Sequence, residues 1–227
     1  MIITLDGVRV GSGPAAELPE TSLSFGGGVP ALAVAETGRR PVVLSLVAGG
    51  RMRVDAGRVL VDGEPDPGRL RAAVALVDTP AVGEPPEDVA VRAVVREELS
   101  FARRAADRRS VDRVLDAHGL LPLAGSPFRS VPPTTRVRLL TGLAASRPGV
   151  DALVLTSPER HGGDPVEWHA VVRGLAARGV GVLVVTTSAI VNLLTRDDGG
   201  TGRGSAAATP ARASAPSSVE HGLVPLF

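Results

Sequence analysis

Residues 31–49 read ALAVAETGRRPVVLSLVAG: a short apolar run, a turn carrying two arginines, and a second apolar run closed by Ala-Gly. Residues 31–35 predict a buried strand. Pro41 opens the second run where proline suits the first turn of a helix, although the β-branched content of residues 41–48 also allows a strand. The same alternation continues on both sides. Residues 2–10, 23–28, 58–61, 74–77, 152–155 and 180–186 read as strands, and Asp62-Gly63 reads as a turn. Helical spacing runs through residues 89–109, then 111–118 after a Ser110 cap, 134–146, and 165–178 with Asp164 as N-cap. Residues 127–133 form a breaker-rich loop. Apolar strands alternating with helices predict an α/β fold with a mainly parallel sheet covered on both faces.

Composition narrows the function. The 227 residues carry 25 basic side chains, all of them arginine, against 24 acids. A net charge of +1 recruits neither nucleic acid nor an acidic membrane, so no nucleic-acid partner is expected. With no cysteine, disulfides, thiolate catalysis and cysteine-zinc sites are excluded. Met1 leads straight into a strand, and no apolar run approaches the roughly 20 residues of a membrane span. A cytoplasmic protein is expected, peripheral on the inner face of a membrane only through a partner. From about residue 197 the composition turns to Gly, Ala, Ser, Thr, Pro and Arg, which predicts a disordered tail over 197–227. Its apolar end, GLVPLF at 222–227, reads as a docking element or a frayed terminus.

In order and spacing these pieces resemble the nucleotide-binding domain of ABC transporters over roughly residues 1–195. Anchored on Ala48-Gly49, the resemblance puts Arg40 at the Walker A lysine and Pro41 at the magnesium-binding Ser/Thr. Val34 and Arg39 then fall on the first and last loop glycines. VLVDG at 59–63 is similar to the following hairpin, and VALVDTP at 74–80 to the strand entering the Q-loop, with Thr79 for glutamine. VRAVVREELSFA at 91–102 resembles the start of the helical subdomain, expected over about 84–135 in a domain of residues 1–196. SVPPT at 130–134 stands at the signature loop, where Pro132 and Pro133 replace two glycines. LVLTSP at 153–158 resembles the Walker B strand, with Thr156 for the metal-binding aspartate and Ser157 for the catalytic glutamate. Asp164 resembles the end of the D-loop, and Thr187 occupies the H-loop histidine position.

These substitutions imply a P-loop-type scaffold without catalytic residues. Arginine can grip phosphate, so Arg40 is the candidate phosphate contact. Its loop lacks the glycines that let backbone approach an anion, and Pro41 has no N–H to donate. Neutral Thr156 and Ser157 supply neither a magnesium ligand nor a base. The resemblance implies a non-catalytic partner of a membrane permease or of an intact ABC ATPase, in a homo- or heterodimer, with no cofactor and no resident metal. Residues 79–102 are its docking candidate. Two alternatives stand beside it: an ATPase that holds ATP and magnesium through Arg40, and a small-molecule module reusing the emptied cleft.

Other constellations carry less. His161, Asp164, Glu167 and His169 lie close in ERHGGDPVEWH but match no metal-ligand spacing, so a solvated loop and helix start is expected. Trp168 is expected to pack. Ser157 lacks the GxSxG context of a hydrolase nucleophile. Gly26-Gly27-Gly28 reads as a flexible turn. Arg103, Arg104, Arg108 and Arg109 are nearly balanced by Glu97, Glu98, Asp107 and Asp112, which predicts a solvated helix face.

Overall fold

The computed structural model describes residues 1–198. In chain order the elements are β1 (Ile2–Val10), β2 (Leu18–Gly26), β3 (Ala31–Val34), α1 (Arg40–Ala48), β4 (Ala56–Val61), α2 (Pro67–Ala73) and β5 (Val74–Val77). There follow α3 (Val91–Phe101), α4 (Arg108–Ala117), α5 (Pro133–Ala145), β6 (Ala152–Thr156), α6 (Pro165–Ala176), β7 (Gly181–Thr186) and α7 (Ser188–Asp198). The tail expected beyond α7, with its GLVPLF end, lies outside the described residues.

Four strands form a parallel sheet in the order β3-β7-β6-β5. Its central strands β6 and β7 are buried at every residue, so ALVLT and GVLVVT show no polar alternation. A second, antiparallel sheet has the order β2-β1-β4, with Ile3 opposite Phe25 on one side and Val61 on the other.

α1 lies between the two sheets. Its Val43, Leu44 and Val47 join Ile3, Leu5 and Phe25 of the antiparallel sheet and Val154, Leu183 and Val185 of the parallel one. The alternate residues Leu153, Leu155, Val182 and Val184 point the other way, into a core with Leu139, Trp168 and Val172. Burial on two sides settles residues 41–48 as helix despite their β-branched content. Pro41 sits in the first turn, where its missing N–H costs no helical bond.

Two local readings are corrected. The helical run over 89–109 is broken: Arg103 turns left-handed at φ 52°, and the Arg104 N–H donates back to Leu99 O at 2.9 Å. No glycine marks that turn, so the helical period reads on through it. The following helix is capped by Asp107, which accepts from the Ser110 N–H at 2.8 Å, and Ser110 is not the cap. Two helices are added to the sequence reading. α2 has a standard start, with Asp66 accepting from Arg69 N–H and Pro67 in the first turn. α7 covers residues left unassigned before the compositional shift at about residue 197 and reaches just past it.

Candidate functional site

The C-terminal ends of β3, β5, β6 and β7 deliver the candidate residues to one edge of the parallel sheet, the usual place for a ligand in an open α/β sheet. Val34 lies inside the β3 ladder opposite Thr186, not in the loop. Only residues 35–39 connect β3 to α1. Their backbone is largely committed. Ala35 N–H donates to Thr186 O at 3.0 Å, and Arg40 N–H donates to Thr37 O at 3.1 Å. With Pro41 next, two successive positions at the start of α1 offer no free backbone donor to an anion.

Glu36 reaches in the opposite direction. Its carboxylate accepts the Ser188 N–H at the start of α7, and the hydrogen bonds from Ser188 hold it below the usual carboxylate range. Arg39 is exposed and Arg40 half-buried; among the described residues neither side chain has an ion-pair partner. The β3–α1 junction therefore combines two unpaired guanidiniums with a carboxylate anchored to a neighbouring helix.

Beneath that loop, Thr79 and Thr156 meet, and Ser45 of α1 joins them. Thr79 Oγ1 lies 2.8 Å from Thr156 Oγ1, which lies 2.8 Å from Ser45 Oγ. Ser45 Oγ donates to Pro41 O one helical turn earlier, at 2.8 Å. That contact fixes the direction of the whole chain. Ser45 has spent its proton, so it accepts from Thr156; Thr156 must then accept from Thr79. All three hydroxyl protons are used, and the three residues are fully buried. The relay contains no carboxylate to hold a magnesium ion.

The charge lies one step along the chain, at Asp78. Arg136 of α5 grips its carboxylate with two parallel bonds, Nε to Oδ2 at 2.9 Å and Nη2 to Oδ1 at 2.8 Å. Both side chains are buried, 2% and 1% exposed. Burial alone would raise the Asp78 carboxyl. Contacts from His161 and Arg136 and the charges of Arg136 and Arg160 outweigh it and hold the group down to about 2. Arg136 is raised in turn: burial pushes it down, and Asp78 and Glu87 more than offset that. The Arg136 guanidinium also lies 4.7 Å above the Phe128 ring and donates to Glu87 Oε1 at 2.7 Å. Arg160 bridges Thr156 O and Glu84 Oε1, both at 2.9 Å, and stands 3.1 Å from Asp78 Oδ1.

His161 faces Asp78, not the other residues of ERHGGDPVEWH. Its Nε2 is 3.1 Å from Asp78 Oδ2, though out of line for a hydrogen bond. Asp78, Glu84 and His161 could bring ligand atoms within 4.8 Å of one another. Two guanidiniums already hold the same carboxylate oxygens, so a cation there would have to displace them. Of the remaining residues in that stretch, Asp164 caps α6 through Val166 N–H, Glu167 accepts from Thr134, and His169 is buried against Trp168.

Ser157 sits left-handed at φ 46°, directly after β6, at the start of a single turn over Pro158–His161. Its N–H is bound to Val185 O. Pro132 and Pro133 begin α5 with no side-chain cap, and Gly163 approaches Pro133 so closely that a Cβ would fall 2.8 Å from it. Thr187 precedes α7, its Oγ1 3.4 Å from Ile190 N. Two open cavities, of about 480 and 380 Å³, lie elsewhere: one lined by Arg138, Gly142, Gly174 and Arg178 among others, the other by Val166, Leu193 and their neighbours. Neither is lined by a candidate nucleotide position.

Sequence reading missed Ser45, Asp78, Arg136, Arg160 and Glu36. A mid-helix serine four residues after Pro41, and an acid directly after an apolar strand, were the available signals.

The fold is that of ABC-transporter ATP-binding cassettes. A nucleotide-free ATP-binding cassette from an ABC transporter superposes with a TM-score of 0.60 at 18% identity, covering 85% of this chain and 84% of that one. A putative ABC transporter ATP-binding protein from Pyrococcus furiosus gives 0.59 at 12% identity, over 83% of this chain and 92% of the other. The cbiO1 protein of Clostridium perfringens, part of the transporter complex cbiONQ, gives 0.57 at 17%, over 82% and 77%. No protein-family model and no curated protein matches the sequence.

Proposed function

We propose that this chain is a non-catalytic subunit built on the ATP-binding-cassette scaffold, acting as a structural or regulatory partner of a membrane permease or of an intact cassette ATPase. The hydroxyl relay Thr79–Thr156–Ser45 carries this reading. It closes on Pro41 O with every proton used, at the positions where the resemblance expects glutamine and the metal-binding aspartate. Closed and uncharged, it supplies no magnesium ligand and no general base.

The loop above it supports the same reading. Backbone donors at Arg40 and Pro41 are spent or absent, and the Glu36 carboxylate disfavours a second anion nearby. Among the described residues no helix is long and apolar enough to cross a membrane, so membrane contact in this reading passes through a partner. The helical subdomain spans about 84–135, and residues 79–102 form the docking surface, by analogy of fold.

The test is equilibrium binding of labelled ATP with magnesium, followed by phosphate release after rigorous repurification. The expected result is neither binding nor turnover. Turnover that survives purification and disappears in Arg40→Ala would replace this reading with that of a divergent ATPase.

A further inference from the structure

Among the described residues, α6 and α7 leave one partly apolar cleft between them open. Ile190 and Leu194 turn inward and join the core with Val172 and Leu175. Ala189, Asn192, Leu193 and Arg196 follow one another at helical spacing on another face of α7. With Val166 from the first turn of α6 they line the open cavity of about 380 Å³. Val166 is 39% exposed and Leu193 46%. Arg196, in the last turn of α7, has no ion-pair partner among the described residues.

The chain itself carries a segment whose chemistry matches this cleft. Residues 199–218 contain no Ile, Leu, Val, Met or aromatic residue; Val219, Leu223, Val224, Leu226 and Phe227 then come close together in sequence. Glu220, the one acid of residues 199–227, is next to this apolar end in sequence and complements Arg196 in charge. Distance is no obstacle. From Ala189 to Asp198 a helix rises about 14 Å, whereas residues 199–221 span about 75 Å when extended. A tether of this composition holds its far end at an effective concentration on the order of millimolar. Contacts too few to recruit a separate molecule are therefore enough within one chain.

We infer that the apolar segment 222–227 of this chain docks in cis in the cleft between α6 and α7, with Leu223, Leu226 and Phe227 against Val166 and Leu193 and with Glu220 beside Arg196. The cleft is then an internal binding site, shut to any other molecule until the segment leaves. None of its lining residues is a candidate nucleotide position, and the inference does not depend on the non-catalytic reading.

The chain has no cysteine, so paired substitutions report proximity without background. In the full chain with oxidised glutathione, Asn192→Cys with His221→Cys is expected to form an intramolecular disulfide at least about tenfold faster than Asn192→Cys with Thr209→Cys. Tether length alone predicts the reverse, because the second pair closes a shorter loop. Leu226→Asp with Phe227→Asp, and separately Leu193→Asp, are each expected to abolish the preference. The first of these leaves residues 1–198 unaltered, so the test stays readable should Leu193→Asp fail to fold. Equal rates for the two cysteine pairs would show that the segment visits the cleft no more than its tether requires. Disulfide-linked dimers would give the cleft to a second copy of the chain. A preference that survives Leu193→Asp would place the segment on another surface. Each of these three results overturns the inference.

Discussion

At the scale of single residues, Thr79, Thr156 and Ser45 are held by closed, uncharged hydrogen bonding. Thr156 is the pivot of the relay, accepting one proton and donating one. Thr156→Val keeps the shape and strands the Thr79 proton in the core. The expected cost is about 1–3 kcal/mol in chemical denaturation. Ser45→Ala strands the Thr156 proton by the same logic, and the double variant should cost less than the sum, because both changes break one chain. Thr79 and Thr156 were singled out by their place in the ABC-like frame. Ser45 was not, because its partners lie on elements far away in sequence. His161 shows the converse error: sequence proximity grouped it with Asp164 and His169, and the fold turned it toward Asp78 instead. Asp78 also predicts a pH dependence. Its folded value of about 2 lies below the ordinary carboxylate value, so its contribution is present above about pH 4 and is lost as pH falls towards 2. That contribution is about 2 kcal/mol, read as the pH slope of unfolding free energy, and Asp78→Asn should flatten the slope over that window.

At the scale of elements, most strands were legible because burial on both faces leaves an unbroken apolar signature, as in β6 and β7. Helix ends were less legible because they depend on caps and on one left-handed residue. The break between α3 and α4 has no glycine or proline to announce it, and Arg103 adopts a conformation that glycine would enter more easily. The cap assignment is testable. Asp107→Ala should cost about 1 kcal/mol of stability, since it frees the Ser110 N–H, while Ser110→Ala should cost a few tenths at most. Equal effects, measured as shifts of the denaturant midpoint, would return the cap to Ser110. α7 eluded the sequence because one of its first N–H groups is capped from Glu36, more than a hundred residues earlier.

At the scale of the whole molecule, the scaffold and its site answer to different constraints. Packing of α1 between two sheets needs only apolar residues of the right size at the right period, so the fold persists at 12–18% identity to cassettes of known structure. A nucleotide site needs particular atoms, and in the non-catalytic reading proposed above their places are taken by residues that satisfy one another. The consequence is measurable as heat stability. A ligand that binds the folded state stabilises it by an amount set by its concentration relative to Kd, about 2.7 kcal/mol at a hundredfold excess. In a chain of this size that corresponds to a rise of roughly 5–10 °C in Tm. Millimolar Mg-ATP is expected to move the melting temperature by less than about 1 °C, and Thr156→Asp alone should not restore a shift, because Pro41 and the committed Arg40 N–H still deny the phosphates their backbone donors. A rise of several degrees in the unmodified protein, abolished by Arg40→Ala, would mean that the two unpaired guanidiniums suffice to hold a triphosphate.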